Sequence, residues 1–312
     1  MRRVKLEDLY YAIPEQPIDE KNFDIEKWRR ETPMDYLKAI YIMNMADGVA
    51  KDVIFKEIYK ITRLYIPDVL YKYYSLTDDK KLNSQKFQTL MESKVFLSDV
   101  KDFNDPFDGK GYYYDANQLK KFDRLASSGG KLIDDFTSFI KATALTSNGV
   151  HSMPMWAHYS NNHTGFCVSY NMKHNMVLSS CTFPVQYTDQ RVDVTSLMKQ
   201  QANMLTSAIE KQSVVGNKKI MIDDLSMVYM TLLLCNLKHV SWSYENEFRC
   251  TTGAIAKEMP YIDANPKEIF IGMKCSPEHS KQLTEIAATL NIPVHRMAFN
   301  ECSAEFDLTT NN

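Results

Sequence analysis

Two glutamates stand one residue apart in the segment SWSYENEFRC, residues 241–250. If this segment is a strand, its side chains alternate between two faces, so that Glu245, Glu247 and Arg249 share one face. Neighbouring carboxylates repel each other unless a cation offsets them or one of them has a task that needs a shifted pKa. The spacing therefore predicts either a surface strand with an ion pair or a site that handles positive charge and protons. The segment alone favours neither.

The segment LYKYYSL, residues 70–76, offers possible contacts for a nucleotide. On a strand, Tyr71, Tyr73 and Ser75 would line one face, and Lys72 would point to the other. Lys72 or Tyr73 could then bind a ribose or a phosphate. Taken by itself, the pattern favours a half-buried strand rich in tyrosine.

The segment MPMWAHYSNNHTGFCVSYN, residues 153–171, gathers aromatic and polar side chains just before a predicted strand. Trp156 or Tyr159 could stack on a flat base. His158 and His163 are better explained as ordinary histidines than as zinc ligands, because no cysteine or carboxylate lies at ligand spacing. The segment therefore indicates a stacking surface more than a metal site.

The segment DFNDPFDG, residues 102–109, is rich in side-chain oxygens. Its aspartates and its asparagine can form an Asx-type turn whose backbone Pro106 fixes. The spacing fits no calcium loop. We therefore expect Asn104, Asp105 and Asp108 to shape a loop, and we expect no metal site.

The composition is that of a globular protein without a dominant charge. The chain has 312 residues, of which 44% are hydrophobic, and its formal net charge is −2. This length and apolar content suffice for one large domain or two smaller ones. The near-neutral balance excludes a global basic field for nucleic acid or an anionic membrane, although a local basic groove remains possible.

Short motifs exclude further classes. There is no G-x-G-x-x-G and no G-x-x-x-x-G-K-[ST], so the usual phosphate-binding loops are missing. The six cysteines form no C-x-x-C pair, and the first residues lack the apolar core of a signal peptide. The most apolar stretch, residues 227–237, is too short to span a bilayer. We expect reduced thiols, a cytoplasmic location and no membrane partner.

Hydrophobic periodicity predicts short strands separated by helices of unequal placement. Strands are predicted at residues 66–76, 94–100, 163–171, 181–189, 248–255, 267–275 and 293–299. Helices are predicted at residues 34–62, 79–93, 116–126, 130–145, 191–212, 223–239 and 276–291. This order favours an α+β fold over a doubly wound parallel sheet. Residues 1–65 are predicted to form an arm with a helical extension, and residues 66–312 a single α+β domain.

Five segments together resemble a bacterial family carried as a domain of unknown function. In chain order they are LYKYYSL, FLSDVKDFNDPFDG, MWAHYSNNHTGFCVSY, WSYENEFR and KEIFIGMKCS. The resemblance covers residues 70–300 and leaves residues 1–65 outside. It names no reaction, because a family or a fold does not fix chemistry.

The same order of strands is more remotely similar to the mono-ADP-ribosyltransferase fold. In that fold a first-strand Arg or His binds NAD, a second-strand Tyr or Ser-Thr-Ser supports nicotinamide, and a late Glu, often in E-x-E, is catalytic. The resemblance implies a split sheet of mixed and antiparallel strands with several helices. It implies Glu247 as the catalytic carboxylate, with Glu245 and Tyr159 as catalytic partners. It also implies cofactor contacts from Lys72, Tyr73, Ser75, Trp156, His158, Ser160 and Arg249.

This resemblance implies an NAD-consuming transferase that acts as a toxin or anti-phage effector. NAD would be the substrate, the acceptor would be a protein or a nucleic acid such as messenger RNA, and an antitoxin could be a partner. One alternative is a non-catalytic module of a defence system that binds nucleic acid or protein through aromatic strands. Another is a metal-dependent nuclease that uses Asp105, Asp108, Glu245 and Glu247. That alternative ranks last, because no lysine follows the glutamates at the usual nuclease spacing.

Overall fold

A mixed sheet of nine strands organises the part of the chain that the computed structural model describes. The described residues are 64–131, 140–215, 234–253 and 260–311, with a few isolated positions between residues 24 and 37. The predicted arm and the helix predicted at residues 34–62 lie almost entirely outside them. Within the described residues the fold is α+β with several helices and a mixed sheet, as the sequence predicts.

Strands and helices alternate irregularly along the chain. The strands are β1 Val69–Tyr74, β2 Lys94–Phe96, β3 Ser98–Asp99, β4 Tyr112–Tyr113, β5 Ile140–Thr146, β6 Phe166–Asn171, β7 Thr182–Pro184, β8 Gln186–Thr188, β9 Val192–Asp193, β10 Leu237–His239, β11 Glu247–Gly253, β12 Tyr261–Asp263, β13 Glu268–Ile271, β14 Val294–Phe299 and β15 Leu308–Asn311. The helices are α1 Lys80–Met91, α2 Ala116–Leu119, α3 Asp123–Ala126, α4 Met153–Tyr159, α5 Met176–Ser180, α6 Thr195–Val215 and α7 Pro277–Leu290.

The main sheet has the order β15-β14-β13-β6-β1-β5-β11-β7, and β3 pairs with β5 beside this path. Strand β1 lies between β5 and β6 and is antiparallel to both. Strands β13 and β14 run parallel, which makes the sheet mixed. The pairs β10–β8, β12–β2 and β4–β9 form three small two-stranded sheets.

A gap opens beside the centre of the main sheet. Strands β1 and β5 share one register position, where Tyr71 faces Thr146. Further along β5, Ala142 pairs with Ser98 of β3 instead. The strands on either side of this gap are held by their other neighbours, β6 and β11. The sheet is therefore open on one side of β1 at a place where its backbone remains fixed.

Apolar clusters cover both faces of the central strands. On one face, Leu70 and Val168 pack with Leu283 of α7 and Phe87 of α1. On the other face, Tyr73 packs with Trp156 and with neighbouring apolar residues of β6 and β13. Each face buries enough apolar surface to fix the register of β1, since a slip by one residue would exchange the two faces.

Two predicted helices contain strands in the parts that the structure describes. Residues 130–145 were expected to be helical, but 140–146 form β5, and 132–139 lie outside the described residues. The helix predicted at 223–239 likewise ends in strand β10, and most of its other residues are not described. The alanines and leucines of these segments favour helix only weakly, and pairing on both sides of β5 overrides that preference.

The assumption of a strand across residues 241–250 is also wrong in its first half. Residues Val240–Glu245 form a 3-10 helix, and β11 begins at Glu247. Asn246 joins the two with a φ of 43°, in the left-handed region. Asparagine tolerates this conformation better than most residues. Glu245 therefore reaches its position from a helical turn and not from the strand that carries Glu247.

The close approach of two strands explains one glycine. Gly165 precedes β6, and a Cβ at this position would lie 1.9 Å from the carbonyl oxygen of Tyr74. A side chain here would push β1 and β6 apart at the end that faces the gap. Glycine is therefore required for the local geometry.

Candidate functional site

A cavity of about 310 Å³ occupies the gap beside β1. Its volume lies at the lower end of the roughly 300–1,000 Å³ that is usual for ligand sites. Aromatic, cationic and acidic side chains share its wall. The lining residues are Tyr71, Lys72, Tyr73, Ser98, Phe103, Asn104, Ala142, Thr143, Ala144, Leu145, Thr146, Met155, His158, Tyr159, Lys238, Glu245 and Glu247.

The two glutamates meet at a buried lysine. Lys238 Nζ lies 2.6 Å from Glu245 Oε2 and 2.8 Å from Glu247 Oε2. All three side chains are almost fully buried. The hydroxyl of Thr146 donates to the carbonyl oxygen of Glu245 at 2.5 Å, which anchors the 3-10 helix to β5. The carboxylates are therefore held side by side by a shared cation, although they do not share a strand.

Further contacts extend this arrangement at both ends. Arg249 Nε donates to Glu247 Oε1 at 2.6 Å, and Arg249 Nη2 donates to Asp108 Oδ1. At the other end, the hydroxyl of Tyr159 donates to Glu245 Oε1. The result is a chain of six side chains, which we call the charge network: Asp108, Arg249, Glu247, Lys238, Glu245 and Tyr159. With all groups in their ordinary states it holds three carboxylates and two cations, so one negative charge is in excess.

The two carboxylates differ in how readily they take up a proton. Burial opposes ionisation of Glu247, but the charges of Arg249 and Lys238 outweigh it and lower the pKa of Glu247 to about 2. For Glu245, burial and then the charge of Glu247 raise the pKa, against the opposing effect of Lys238. Glu247 therefore carries a fixed charge, while Glu245 is the better proton donor or acceptor.

The structure brings four further sequence-predicted residues to the cavity. Tyr159 ends α4 and reaches Glu245, and His158 lies beside it in the wall. Tyr73 and Lys72 line the cavity from β1. Lys72 Nζ donates to Thr143 Oγ1 at 2.6 Å, on the sheet face opposite to that of Glu247. Lys72 and Glu247 line the same cavity although they lie on opposite sheet faces, because the cavity occupies the gap between β1 and β5.

The remaining predicted contacts lie outside the cavity. Trp156, expected to be a stacking platform, is fully buried, and its indole N–H donates to the carbonyl oxygen of Val150. Ser160 is also fully buried and donates to the carbonyl oxygen of Trp156. Ser75 accepts from Lys86. Arg249, expected to contact a cofactor, is fully buried and donates instead to Glu247, Asp108 and a backbone carbonyl.

Lys238 is the residue that sequence reasoning missed. It follows the apolar run LLLCNL, where a lysine is easily interpreted as the last turn of a helix. A charge count could have found it. Two carboxylates and one arginine on a shared face leave one buried acid without a cation, so a second cation is needed from elsewhere.

Three of the four carboxylates of the nuclease alternative already have cationic partners, and Asp105 accepts from the backbone N–H of Phe107. Glu245 and Glu247 contact Lys238, and Asp108 contacts Arg249. In the described part of the chain, no group of three or more His, Cys, Asp or Glu side chains is arranged to hold a metal ion. The donor set observed here therefore favours ion pairing over metal coordination.

Comparison with known proteins adds one finding on the family. No curated protein and no solved structure gives a significant match to the chain. No helix among the described residues is long and apolar enough to cross a membrane. A family model described as a protein of unknown function, DUF2971, matches residues 155–250, from α4 to β11. This match supports the resemblance to a family of unknown function and covers both glutamates of the charge network.

Proposed function

We propose that the protein is an NAD-consuming transferase of the ADP-ribosyltransferase type, and that it acts as a toxin or anti-phage effector. The observation that carries this proposal is the pair of carboxylates at the cavity, one with a fixed charge and one able to exchange a proton. Breaking the bond between nicotinamide and ribose develops positive charge on the sugar, and a nearby carboxylate stabilises that charge. The excess negative charge of the network has the sign that this reaction needs.

The residues take distinct roles in this proposal. Glu247 faces the sugar and stabilises the oxocarbenium character as the C1′–N bond breaks and nicotinamide leaves with the bonding electrons. Glu245 accepts the proton of the attacking acceptor group as the new bond to C1′ forms. Tyr159, by donating to Glu245, keeps this carboxylate in place.

The size of the cavity limits what can enter it. At about 310 Å³ it suits one ring with its sugar and not a whole dinucleotide. We therefore place the nicotinamide ribose half inside, against the aromatic rings of Tyr71, Tyr73 and Phe103. The phosphates would then lie towards Lys72. Such binding needs no glycine-rich loop, so the absence of that motif does not count against NAD.

The proposal is tested with NAD that carries a label in either the nicotinamide or the adenine half. We expect the purified protein to release nicotinamide and, with cell extract, to transfer the adenine label to a macromolecule. Addition of a chelator should leave both unchanged, whereas a metal-dependent nuclease would lose its activity. Binding of NAD or nucleic acid without any release or transfer would contradict the proposal and favour the non-catalytic binding module.

Lys72 provides a prediction with a pH dependence. Burial, and then the nearby charge of Lys86, lower the pKa of Lys72 to about 8. The lysine is cationic below that pH and neutral above it, so the KM for NAD should rise as the pH passes through about 8. Lys72→Met should raise the KM at least about tenfold at neutral pH, since a charged hydrogen bond contributes about 1.5–3 kcal/mol. The same substitution should also abolish the rise in KM above pH 8.

Steady-state kinetics between pH 6.5 and 9.5 on wild type, Lys72→Met and Lys72→Arg measure this effect. Arginine keeps its charge over the whole range, so Lys72→Arg should show no inflection near pH 8. The exposed Lys173→Met serves as a control and should behave as wild type. An unchanged KM in Lys72→Met would remove Lys72 from the binding site.

A further inference from the structure

The turn at residues 103–109, which we call the NDPFD turn, maintains its own shape with only part of its polar side chains. Asp105 Oδ1 accepts from the backbone N–H of Phe107 at 2.9 Å, and the N–H of Asp108 donates to the carbonyl oxygen of Asp105 at 3.0 Å. Gly109 closes the turn with a φ of 70°. The carboxylate of Asp108 makes its hydrogen bond to Arg249, outside the turn. Loop architecture therefore explains Asp105 and Gly109, but it leaves Asp108 unexplained.

Asp108 and Phe103 of this turn hold Arg249. Asp108 accepts from one terminal nitrogen of the guanidinium, and the ring of Phe103 lies 5.3 Å from its central carbon. The other terminal nitrogen donates to the carbonyl oxygen of Cys235 at 2.7 Å. With the guanidinium held at these points, its Nε donates to Glu247 Oε1 at 2.6 Å, and the terminal nitrogen on Asp108 also donates to Glu247 Oε2 at 3.2 Å. The turn thus helps to position Arg249, one of the two cations that contact Glu247.

Asn104 of the same turn reaches the other carboxylate. Its side-chain amide donates to the hydroxyl oxygen of Tyr159 at 3.4 Å, and Tyr159 in turn donates to Glu245. The asparagine itself is exposed, while Tyr159 is partly buried. A donor on the phenol oxygen makes the phenol a better donor, so this long contact strengthens the bond to Glu245. One short turn therefore contacts both ends of the charge network.

We propose that the NDPFD turn is a positioning element of the site, in which Asp108 places Glu247 through Arg249 and Asn104 places Glu245 through Tyr159. Its catalytic consequence rests on the proposed function, whereas its structural consequence does not. The turn gives the two carboxylates a common support, so that a change in the turn reaches both of them. Neither Asn104 nor Asp108 is a catalytic residue, since each acts through another side chain.

The proposal predicts how Glu245 titrates. Its carboxyl group is faced by Lys238 from β10, Glu247 from β11, Tyr159 from α4, Tyr187 from β8 and its own neighbour Tyr244. The hydrogen bond from Tyr159 lowers the pKa of Glu245, against the effect of burial. When Asn104 is replaced by alanine, this bond weakens and the pKa of Glu245 should rise.

The decisive measurement is the pH titration of Glu245 in the folded full chain by carbon NMR of labelled glutamate. The resonance is assigned with Glu245→Gln. Asn104→Ala should give a pKa higher by about 0.5, which corresponds to the loss of part of one hydrogen bond. Phe107→Ala is the matched control, because Phe107 is an exposed residue of the same turn that does not touch the network. Equal pKa values for Glu245 in the two variants would overturn the proposal.

Kinetics on Asp108 variants test the link from Asp108 to Glu247 through Arg249. Asp108→Asn keeps an acceptor for Arg249 and should retain most of kcat, whereas Asp108→Ala should lower kcat about tenfold at an unchanged KM. If Asp108→Ala does not fold, the titration of Asn104→Ala still decides. If the wild type releases no nicotinamide, the proposed function fails, and the NMR comparison still gives a separate result for the turn.

Discussion

Glu247→Gln should lower the rate of nicotinamide release by about 10³-fold, with little change in the KM for NAD. Glutamine keeps the size and one acceptor oxygen of the side chain but removes its charge. Since Glu247 is ionised at every pH above about 2, the loss should be the same from pH 5 to pH 9. Initial rates over this range measure it directly.

Two controls make this result specific. Glu285→Gln changes an exposed glutamate of α7 and should leave the rate unchanged. Glu245→Gln removes the group that exchanges protons and should lower the rate of nicotinamide release. It should also abolish the fall in rate at low pH that protonation of Glu245 causes in the wild type. A Glu247→Gln protein that folds and retains more than a tenth of the wild-type rate would rule out the charge of Glu247 as the stabilising element.

Lys238→Met should be the most destabilising single change in the charge network. It leaves Glu245 and Glu247 side by side without the cation they share, and removal of one partner from a buried ion pair costs about 3–5 kcal/mol of unfolding free energy. Denaturant unfolding with circular dichroism measures the loss. Lys173→Met breaks an exposed pair with Asp68 and should cost at most about 1 kcal/mol.

The deficit of Lys238→Met should depend on pH. The pKa of Glu245 is already raised above its ordinary value, and loss of Lys238 should raise it further. A group whose pKa is raised by folding stabilises the folded state at low pH and loses this effect as the pH rises through the folded pKa. The deficit should therefore be smaller at pH 5 than at pH 8. The loss of stability should also be smaller in the double variant Lys238→Met, Glu245→Gln. An equal loss at pH 5, at pH 8 and in the double variant would contradict the electrostatic explanation.

The sequence predicted the regular elements that bury an apolar face. Helices α1 and α7, together with strands β1, β6, β13 and β14, lie close to where the periodicity placed them. Local signals mark such elements well, because capping residues such as Asp79 and Ser276 and alternating apolar residues are neighbours in sequence. The helix expected across β5 was wrong, because partners distant in sequence decide that segment.

The candidate site could be predicted only in part for the same reason. The two glutamates, Tyr159 and Lys72 are visible as unusual residues in short segments. Lys238 enters the site from strand β10 and Asp108 from a turn, both distant in sequence from the glutamates. The ion pair between Arg249 and Glu247 was one of the two interpretations that the local spacing allowed. The assumption of a strand through Glu245 was incorrect, yet it placed the two carboxylates together. The helical turn and Lys238 produce the same neighbourhood by another route.

The burial of Lys238 beneath an aromatic ring separates the site from the ions of the solvent. Its Nζ lies 4.9 Å from the centre of the Trp242 ring, and only 3% of its side chain is exposed. Dissolved salt screens exposed charges over about 8 Å at physiological ionic strength, but it screens buried pairs much less. The bond-breaking step should therefore be nearly indifferent to ionic strength, whereas recognition of a charged acceptor at the surface should weaken as salt is added. Raising the salt concentration should thus weaken acceptor binding while leaving the rate of nicotinamide release nearly unchanged, so that the two steps can be measured separately.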